Sequence, residues 1–228
     1  MANRAGRQGL AIFDLDHTLI QGDSDSLWVE FLASRGYLDR DFLNRNAGYY
    51  QDYLAGSLDM QEFLAFQLEY LSRLSPGKLQ SLRQRFVEDC IRPIVLSKAQ
   101  SLVRQHQQQG HESLIITATN RFVTEPIARL FGVENLIAVE LEMVGGRFTG
   151  RSLGIPSFRE GKVKRLQEWL RDRRQLSGES WFYSDSHNDL PLLGEVDHPT
   201  AVDPDPQLRK EAEARGWPVI SLRSCISP

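Results

Sequence analysis

Three short apolar runs recur along the chain, and each stops at polar residues. Leu10–Phe13 ends at Asp14, Leu114–Ile116 ends at Thr117, and Trp181–Tyr183 ends at Ser184 and Asp185. Runs this short, bounded by loop-forming residues, predict buried strands. Helical spacing precedes the second and third. Ala99, Leu102, Val103 and His106 share one face, and Val163, Leu166, Trp169 and Leu170 share another. Leu136–Val139, Thr200–Val202 and Val219–Leu222 predict further strands, and Pro206–Arg215 a helix. Strands alternating with helices predict a parallel sheet in an α/β fold.

Residues 21–95 break this rhythm: they offer helical stripes and no strand. Leu27, Trp28, Phe31 and Leu32 make one stripe, and Tyr49, Tyr50, Tyr53 and Leu54 a second. Phe63, Gln67, Tyr70, Leu71 and Leu74 make a third, and Leu79, Leu82, Phe86 and Cys90 a fourth. Asp59 followed by Glu62 has the spacing of a capping box. Ser75 before Pro76 has the form of an N-cap followed by proline at the first helical position. The expectation is a bundle of about four helices, with its tyrosines in the bundle core, inserted after the first strand. The domain assignment is therefore a core of residues 1–20 and 96–228 and a helical unit of 21–95.

Composition narrows the class. The chain has 228 residues, 41% hydrophobic and 25% charged, enough for a sizeable core. With 27 Lys and Arg against 30 Asp and Glu, the net charge of −3 disfavours a dedicated nucleic-acid binder. Two cysteines, Cys90 and Cys225, supply neither a disulfide framework nor a zinc ribbon. No run approaches the roughly 20 apolar residues of a membrane helix. Beyond Arg4 and Arg7, Leu10–Phe13 is too short for the core of a signal peptide. A cytoplasmic protein acting on a small molecule, with no nucleic-acid or membrane partner, is expected.

The chemistry gathers at the strand ends. Asp14 and Asp16 leave the first strand together, and in open α/β sheets ligands bind beyond the carboxyl ends of the strands. Two close, buried carboxylates need a cation, and Mg²⁺ suits one or two carboxylates plus phosphate oxygens. An isolated pair of this kind is more often an Asx turn. Here Thr117, Lys162 and the run Asp185-Ser186-His187-Asn188-Asp189 follow in order.

In these four motifs the whole chain resembles the haloacid dehalogenase superfamily. The resemblance implies a Rossmann-like α/β core and Mg²⁺-dependent phosphoryl chemistry. It makes Asp14 the nucleophile and Asp16 the general acid and base, with the Asp16 carbonyl facing the metal. Thr18 would orient Asp16. Thr117 and Lys162 would bind the phosphoryl oxygens, and Asp185 would complete the metal site. Asp189 would support the metal or hold Lys162, and Asn188 would be a further polar support. An aspartate at position 16 favours a phosphatase or phosphomutase over an ion-pumping ATPase. His17 and His187 match positions that are not ligands and are expected as exposed loop histidines. Lys164 is expected to point elsewhere. Asn120 and Arg121 stand at a helix start, where they either contact phosphate or substrate or serve as caps.

A helical insert at this point resembles the cap of the subgroup that includes phosphoserine phosphatase. That pattern carries Glu where this chain has Asp23, and an Arg that clamps the substrate carboxylate where this chain has Gln67. A neutral amide cannot replace a bidentate guanidinium, so phosphoserine is disfavoured unless Arg45 or Arg73 reaches in. An acidic edge of Asp23 and Asp25 beside Trp28, without the clamp, suits a phosphate ester that carries an amine. Ser24 or Asp25 could equally cap the first helix. The stretches Gly22-Asp23-Ser24-Asp25 and Thr117-Ala118-Thr119-Asn120-Arg121-Phe122 resemble a bacterial branch of histidinol-phosphate phosphatases. The expected activity is Mg²⁺-dependent hydrolysis of histidinol phosphate. The alternatives are phosphoserine or another small phosphate ester, transfer to an alcohol, and a non-catalytic module that binds metal or phosphate. The oligomeric state is left open.

Overall fold

The computed structural model describes residues 8–223; Arg4, Arg7 and Cys225 lie outside the described residues. The first strand, β1 (Leu10–Phe13), is buried throughout. Its side chains alternate between two apolar layers. Leu10 and Ile12 join Leu114, Ile116 and Phe182 on one side, and Ala11 and Phe13 join Ile115 and Tyr183 on the other. A strand covered on both faces reads as a continuous apolar run, which is why this one is visible in the sequence.

Four helices follow: α1 (Ser24–Ala33), α2 (Arg40–Ala55), α3 (Met60–Arg73) and α4 (Pro76–Phe86), the last continuing into a π-helical turn at Val87–Ile91. This stretch leaves and returns at one place. Ile20 and Val95 form an antiparallel bridge, and the Gln21 N–H donates to the Ile94 carbonyl at 2.8 Å. The chain then runs through α5 (Ser97–Gln108), β2 (Glu112–Asn120), α6 (Arg121–Leu130), β3 (Asn135–Val144), β4 (Arg147–Leu153) and α7 (Glu160–Leu170). It finishes with β5 (Ser180–Ser184), α8 (Leu190–Leu193), β6 (His198–Val202), α9 (Pro206–Arg215) and β7 (Val219–Ile220).

The seven strands form one sheet in the order β4-β3-β2-β1-β5-β6-β7. All neighbours are parallel except β3 and β4. The sequence pattern reveals neither β4 nor the full length of β3, because β4 (RFTGRSL) has almost no apolar alternation. β4 is held by its antiparallel pairing with β3 and by α3, on which it packs closely: a Cβ at Gly150 would lie 3.3 Å from the Leu68 carbonyl oxygen.

The stripes on α1 and α4 are core, as are Tyr70 and Leu71 of the α3 stripe, whereas Phe63 and Gln67 of α3 line a cavity. Trp28 is fully buried, its ring 5.1 Å from Phe86 and 6.0 Å from Phe122 of α6, so the helical stretch shares an apolar cluster with the sheet. Truncation of such an anchor costs about 3–5 kcal/mol. The α2 stripe departs from expectation. Tyr49, Tyr50 and Tyr53 face a cavity instead of a bundle core, and Leu54 is 49% exposed. The other helices already close their own core, and α2 contributes one buried residue, Asn46. The capping pair is also only half formed: Asp59 accepts from the N–H groups of Gln61 and Glu62, but the Glu62 carboxylate accepts from the Tyr49 hydroxyl. Ser75 caps α4 as the sequence predicts, accepting from the Lys78 N–H.

Candidate active site

Sheet register brings the polar residues together. Phe13 is level with Ile115 on one side and Tyr183 on the other. Asp14 and Asp185, just past the ends of β1 and β5, therefore stand at nearly the same height as Thr117 within β2. Asp14 is buried, and its N–H donates to the Tyr183 carbonyl at 2.9 Å. Asp14, Asp16, Thr117, Lys162, Asp185 and Asp189 all line one cavity.

Lys162 reaches this point from the first turn of α7. Its ammonium is 2.7 Å from Asp14 Oδ1 and donates to Asp189 Oδ2 at 2.8 Å. The preceding Gly161 is required, since a Cβ there would overlap the Pro156 carbonyl oxygen. Ser157 Oγ donates to the Thr117 carbonyl at 2.5 Å, fixing the segment before α7 against the end of β2. Ser184 Oγ donates to Asp189 Oδ2 at 2.6 Å.

Asp16 is held by donors on both oxygens. The Ser24 N–H donates to Oδ1 at 2.7 Å, and the hydroxyls of Thr119 and Thr117 donate to Oδ2 at 3.0 and 3.4 Å. Thr18, expected beside Asp16, instead supports Asp185: its hydroxyl donates to Asp185 Oδ1 at 3.0 Å and accepts from the Asp185 N–H at 3.1 Å. The loop after β1 carries Thr18 under β5, and the ends of β2 take over the orientation of Asp16.

Burial pushes the Asp14 carboxyl up to about 7; Asp189 and Asp16 add to the rise and Lys162 opposes it. Burial also raises Asp16 to about 7, with Asp23 adding to it. Asp185 is raised well above the carboxylate range, first by burial and then by Asp14 and Asp189. Burial pulls on Lys162 in the other direction, but Asp14 and Asp189 outweigh it and keep the ammonium charged. Four carboxylates thus crowd around a single buried ammonium, and the donor set is hard oxygen. Both features fit a divalent cation such as Mg²⁺. Among the described residues, no three His, Cys, Asp or Glu side chains gather as a complete ligand set. Two carboxylates with a main-chain oxygen remain compatible with Mg²⁺, which usually keeps several waters.

A model of the haloacid dehalogenase-like hydrolases matches residues 11–194. The chain belongs to this family. The hydrolase is 43% identical over 221 residues to a histidinol-phosphatase of Neisseria meningitidis, covering 95% of this chain and 100% of that one. It is 30% identical over 218 residues to a phosphoserine phosphatase of Mycobacterium tuberculosis, covering 93% of this chain and 70% of that one. The crystal structure of a protein of unknown function from Bordetella pertussis matches with a TM-score of 0.89 at 45% identity, covering 95% of this chain and 100% of that one. The hydrolase is an enzyme of the phosphatase kind.

Several residues of this hydrolase stand elsewhere than the sequence suggests. Arg121 does not line the cavity. Its guanidinium is bound bidentately by Glu140 and also donates to the Leu136 carbonyl, because the start of α6 faces β3. Asn120 is the N-cap of α6, accepting from the Val123 N–H. The N-cap of α1 is Asp23, not Ser24 or Asp25; it accepts from the Ser26 N–H at 2.7 Å while lining the cavity. His17 and His187 are not exposed loop residues. His17 is half-buried and within 3.4 Å of the Tyr50 hydroxyl, and the His187 side chain, 10% exposed, pairs with Asp205 at 2.9 Å. Lys164 is exposed, as expected.

Neither Arg45 nor Arg73 reaches the cavity. Arg45 stacks over Phe66, and Arg73 pairs with Glu69. Gln67 does line the cavity, where its amide donates to the buried Asp25. Sequence reasoning missed Thr119, Ser184, Asn46 and Arg159. Arg159 Nε donates to Asn188 Oδ1 at 2.9 Å and Nη2 to the Gly56 carbonyl, and Asn188 Nδ2 donates to the Tyr53 carbonyl at 3.2 Å. Asn188 thereby ties the loop after β5 to the end of α2. Thr119, two residues after Thr117, was within reach of the period-2 rule; the other three carry no local signal.

Proposed function

We propose that this phosphatase hydrolyses histidinol phosphate through a phosphorylated Asp14, with Mg²⁺ as cofactor. Residues 21–95 act on this reading as a cap over a core of 1–20 and 96–228. The observation that carries the chemistry is the arrangement at the strand ends: Lys162 bridges Asp14 and Asp189 while Asp16 sits beside them on hydroxyl and amide donors.

An Asp14 oxygen attacks phosphorus in line with the ester oxygen. The P–O bond to the alcohol breaks, and the alkoxide takes the proton from the Asp16 carboxyl. Burial near neutrality favours that starting proton on Asp16. Asp16, now a carboxylate, removes a proton from water as the water oxygen attacks the phosphorus. This second displacement releases inorganic phosphate and free Asp14. The two half-reactions need opposite proton transfers, so one residue serves both. Thr117 and Lys162 are the donors for the phosphoryl oxygens. Asp14, Asp185 and the Asp16 carbonyl would hold Mg²⁺, which would supply positive charge to keep Asp14 ionised and to offset the phosphate dianion.

The substrate reading is supported by the 43% identity to the Neisseria histidinol-phosphatase over that protein's full length. It is also supported by the cavity wall, whose described Lys and Arg residues reduce to Lys162. Nothing there would clamp the carboxylate of phosphoserine. The test compares histidinol phosphate, phosphoserine and a panel of sugar phosphates by steady-state kinetics. The expected result is a clear preference for histidinol phosphate. A specificity constant no better than that of the panel would remove this substrate. Asp14→Asn is expected to abolish hydrolysis of every ester, aryl phosphate included.

A further inference from the structure

Two buried acceptors on the cavity wall have no hydrogen-bond partner in the protein: Asp25 Oδ1 and Asn46 Oδ1. They come from different helices, α1 and α2, and their residues are 9% and 7% exposed. Buried polar atoms are almost always paired, and an orphaned one keeps its full desolvation cost, larger for a charged group. A pair of orphans of the same polarity on one wall is therefore a demand for a donor from elsewhere.

The surroundings specify the donor's charge. Gln67 donates to Asp25 Oδ2 but brings no charge. Burial raises the Asp25 carboxyl, and Asp23 and Asp16 raise it further, so the carboxylate form is disfavoured here and a cationic donor beside it is what would restore it. Among the described residues of the wall the one cation, Lys162, is committed to Asp14 and Asp189. Tyr70 lies nearby and its hydroxyl accepts from Trp28 Nε1, but no hydrogen bond joins it to Asp25 Oδ1. An incoming group that satisfies these acceptors has to carry several N–H donors and a positive charge. A primary ammonium does both.

Resting on the phosphatase reading above, we propose that Asp25 and Asn46 form the subsite that holds a protonated amine of the substrate alcohol, with Gln67 orienting Asp25. These residues, and not the strand-end motifs, would then set the substrate class: phosphate esters of amino alcohols lacking a carboxylate. A guanidinium at position 67 would neutralise Asp25 and reverse that preference, and the neutral amide leaves the carboxylate free to pair with the ligand.

The test measures binding and turnover separately. Calorimetry on the full chain compares histidinol with its deaminated analogue, the imidazolyl propanol. The expected result is binding of histidinol tighter by about tenfold or more, since a site built around an unpaired buried acceptor rejects the analogue that lacks the donor. Asp25→Asn and Asn46→Ala should each shrink that ratio, and the ratio of specificity constants for the two phosphate esters should fall in parallel. Equal binding of the two alcohols by the wild-type chain, or a ratio unchanged in both variants, overturns the proposal. Comparison within the wild type needs no variant to fold. Loss of aryl phosphate hydrolysis in the wild-type chain would count against the phosphatase reading instead, and the calorimetric ratio would still decide the amine subsite.

Discussion

Arg159 and Asn188 are joined by a hydrogen bond of 2.9 Å although they sit on different loops of the sheet's upper edge. Arg159 holds an unusual backbone conformation, φ 50° and ψ −124°, to make this contact and to reach the Gly56 carbonyl at the end of α2. A positive φ of this kind costs a non-glycine residue about 1–3 kcal/mol, which the two hydrogen bonds and the stack on Phe158 offset. The variants Arg159→Ala and Arg159→Gly separate the terms. Both lose the tie to α2, so both should raise KM more than they lower kcat. The glycine variant should be more stable than the alanine variant by about 1 kcal/mol in urea unfolding, because it relieves the backbone.

The Lys162 ammonium and the Asp14 and Asp189 carboxylates form a buried triad. Removing the cation leaves both carboxyls without a counter-charge, Asp189 keeping only the Ser184 hydroxyl. Lys162→Met is expected to destabilise the fold by about 3–5 kcal/mol. Its effect should be smaller at pH 5 than at pH 8, since the orphaned carboxyls can take up protons. Urea unfolding at the two pH values checks this, and aryl phosphate turnover should fall by about 10²–10³ in the same variant.

Addition of Mg²⁺ provides a third expectation. Burial raises Asp14, with Asp189 and Asp16 adding to it, and burial raises Asp185, with Asp14 and Asp189 adding to it, so negative charge at this site is costly near neutral pH. A cation that binds only the folded state should raise Tm by about 5–10 °C at a hundredfold excess over its Kd. Asp185→Asn should lose most of that rise, and chelation should reverse it in the wild type. Thermal melts with and without Mg²⁺ measure both.

His106 makes stability depend on pH at a site remote from the carboxylates. It is buried between Phe13 and Trp181; Nε2 pairs with the Tyr183 hydroxyl and Nδ1 with His111 Nδ1, each at 2.9 Å. Burial, with His111 adding to it, lowers its pKa to about 4 from 6.5. The folded state therefore holds the neutral ring, and the unfolded chain takes up the proton first. This contribution to stability is complete above about pH 6.5 and is lost as the pH falls towards 4. His106→Phe should remove it. The difference in denaturation midpoint between wild type and variant, followed from pH 7 to pH 4.5, should move against the wild type.

The residues legible in the sequence are those fixed by strand ends. Asp14, Thr117 and Asp185 each terminate an apolar run, and the register that levels Phe13 with Ile115 and Tyr183 turns that one-dimensional fact into a cluster. Lys162 and Asp189 are implied by the resemblance to the haloacid dehalogenase motifs. The misplacements have a common cause, which is direction. Arg121 adjoins the site in sequence, but the first turn of α6 aims it at Glu140. The Tyr49, Tyr50 and Tyr53 stripe has the period of a core face, yet the face it presents is the cavity, since periodicity tells which residues share a side and not what lies opposite. Arg159 acts through contacts made across long stretches of chain, and Asn46 is buried by what packs over α2; no local pattern encodes either.

The bridge between Ile20 and Val95 has a mechanical consequence. The helices from α1 to α4 are tethered to the sheet by two strands of backbone lying side by side, clamped by the Gln21 and Leu96 amides on either side. Such a pair of tethers resists sliding and separation but permits turning about one line, like a strip hinge. With α1 and α3 packed into the core, opening of the cavity would fall to α2, whose one buried residue is Asn46, and the Arg159 contact to Gly56 is placed as its latch.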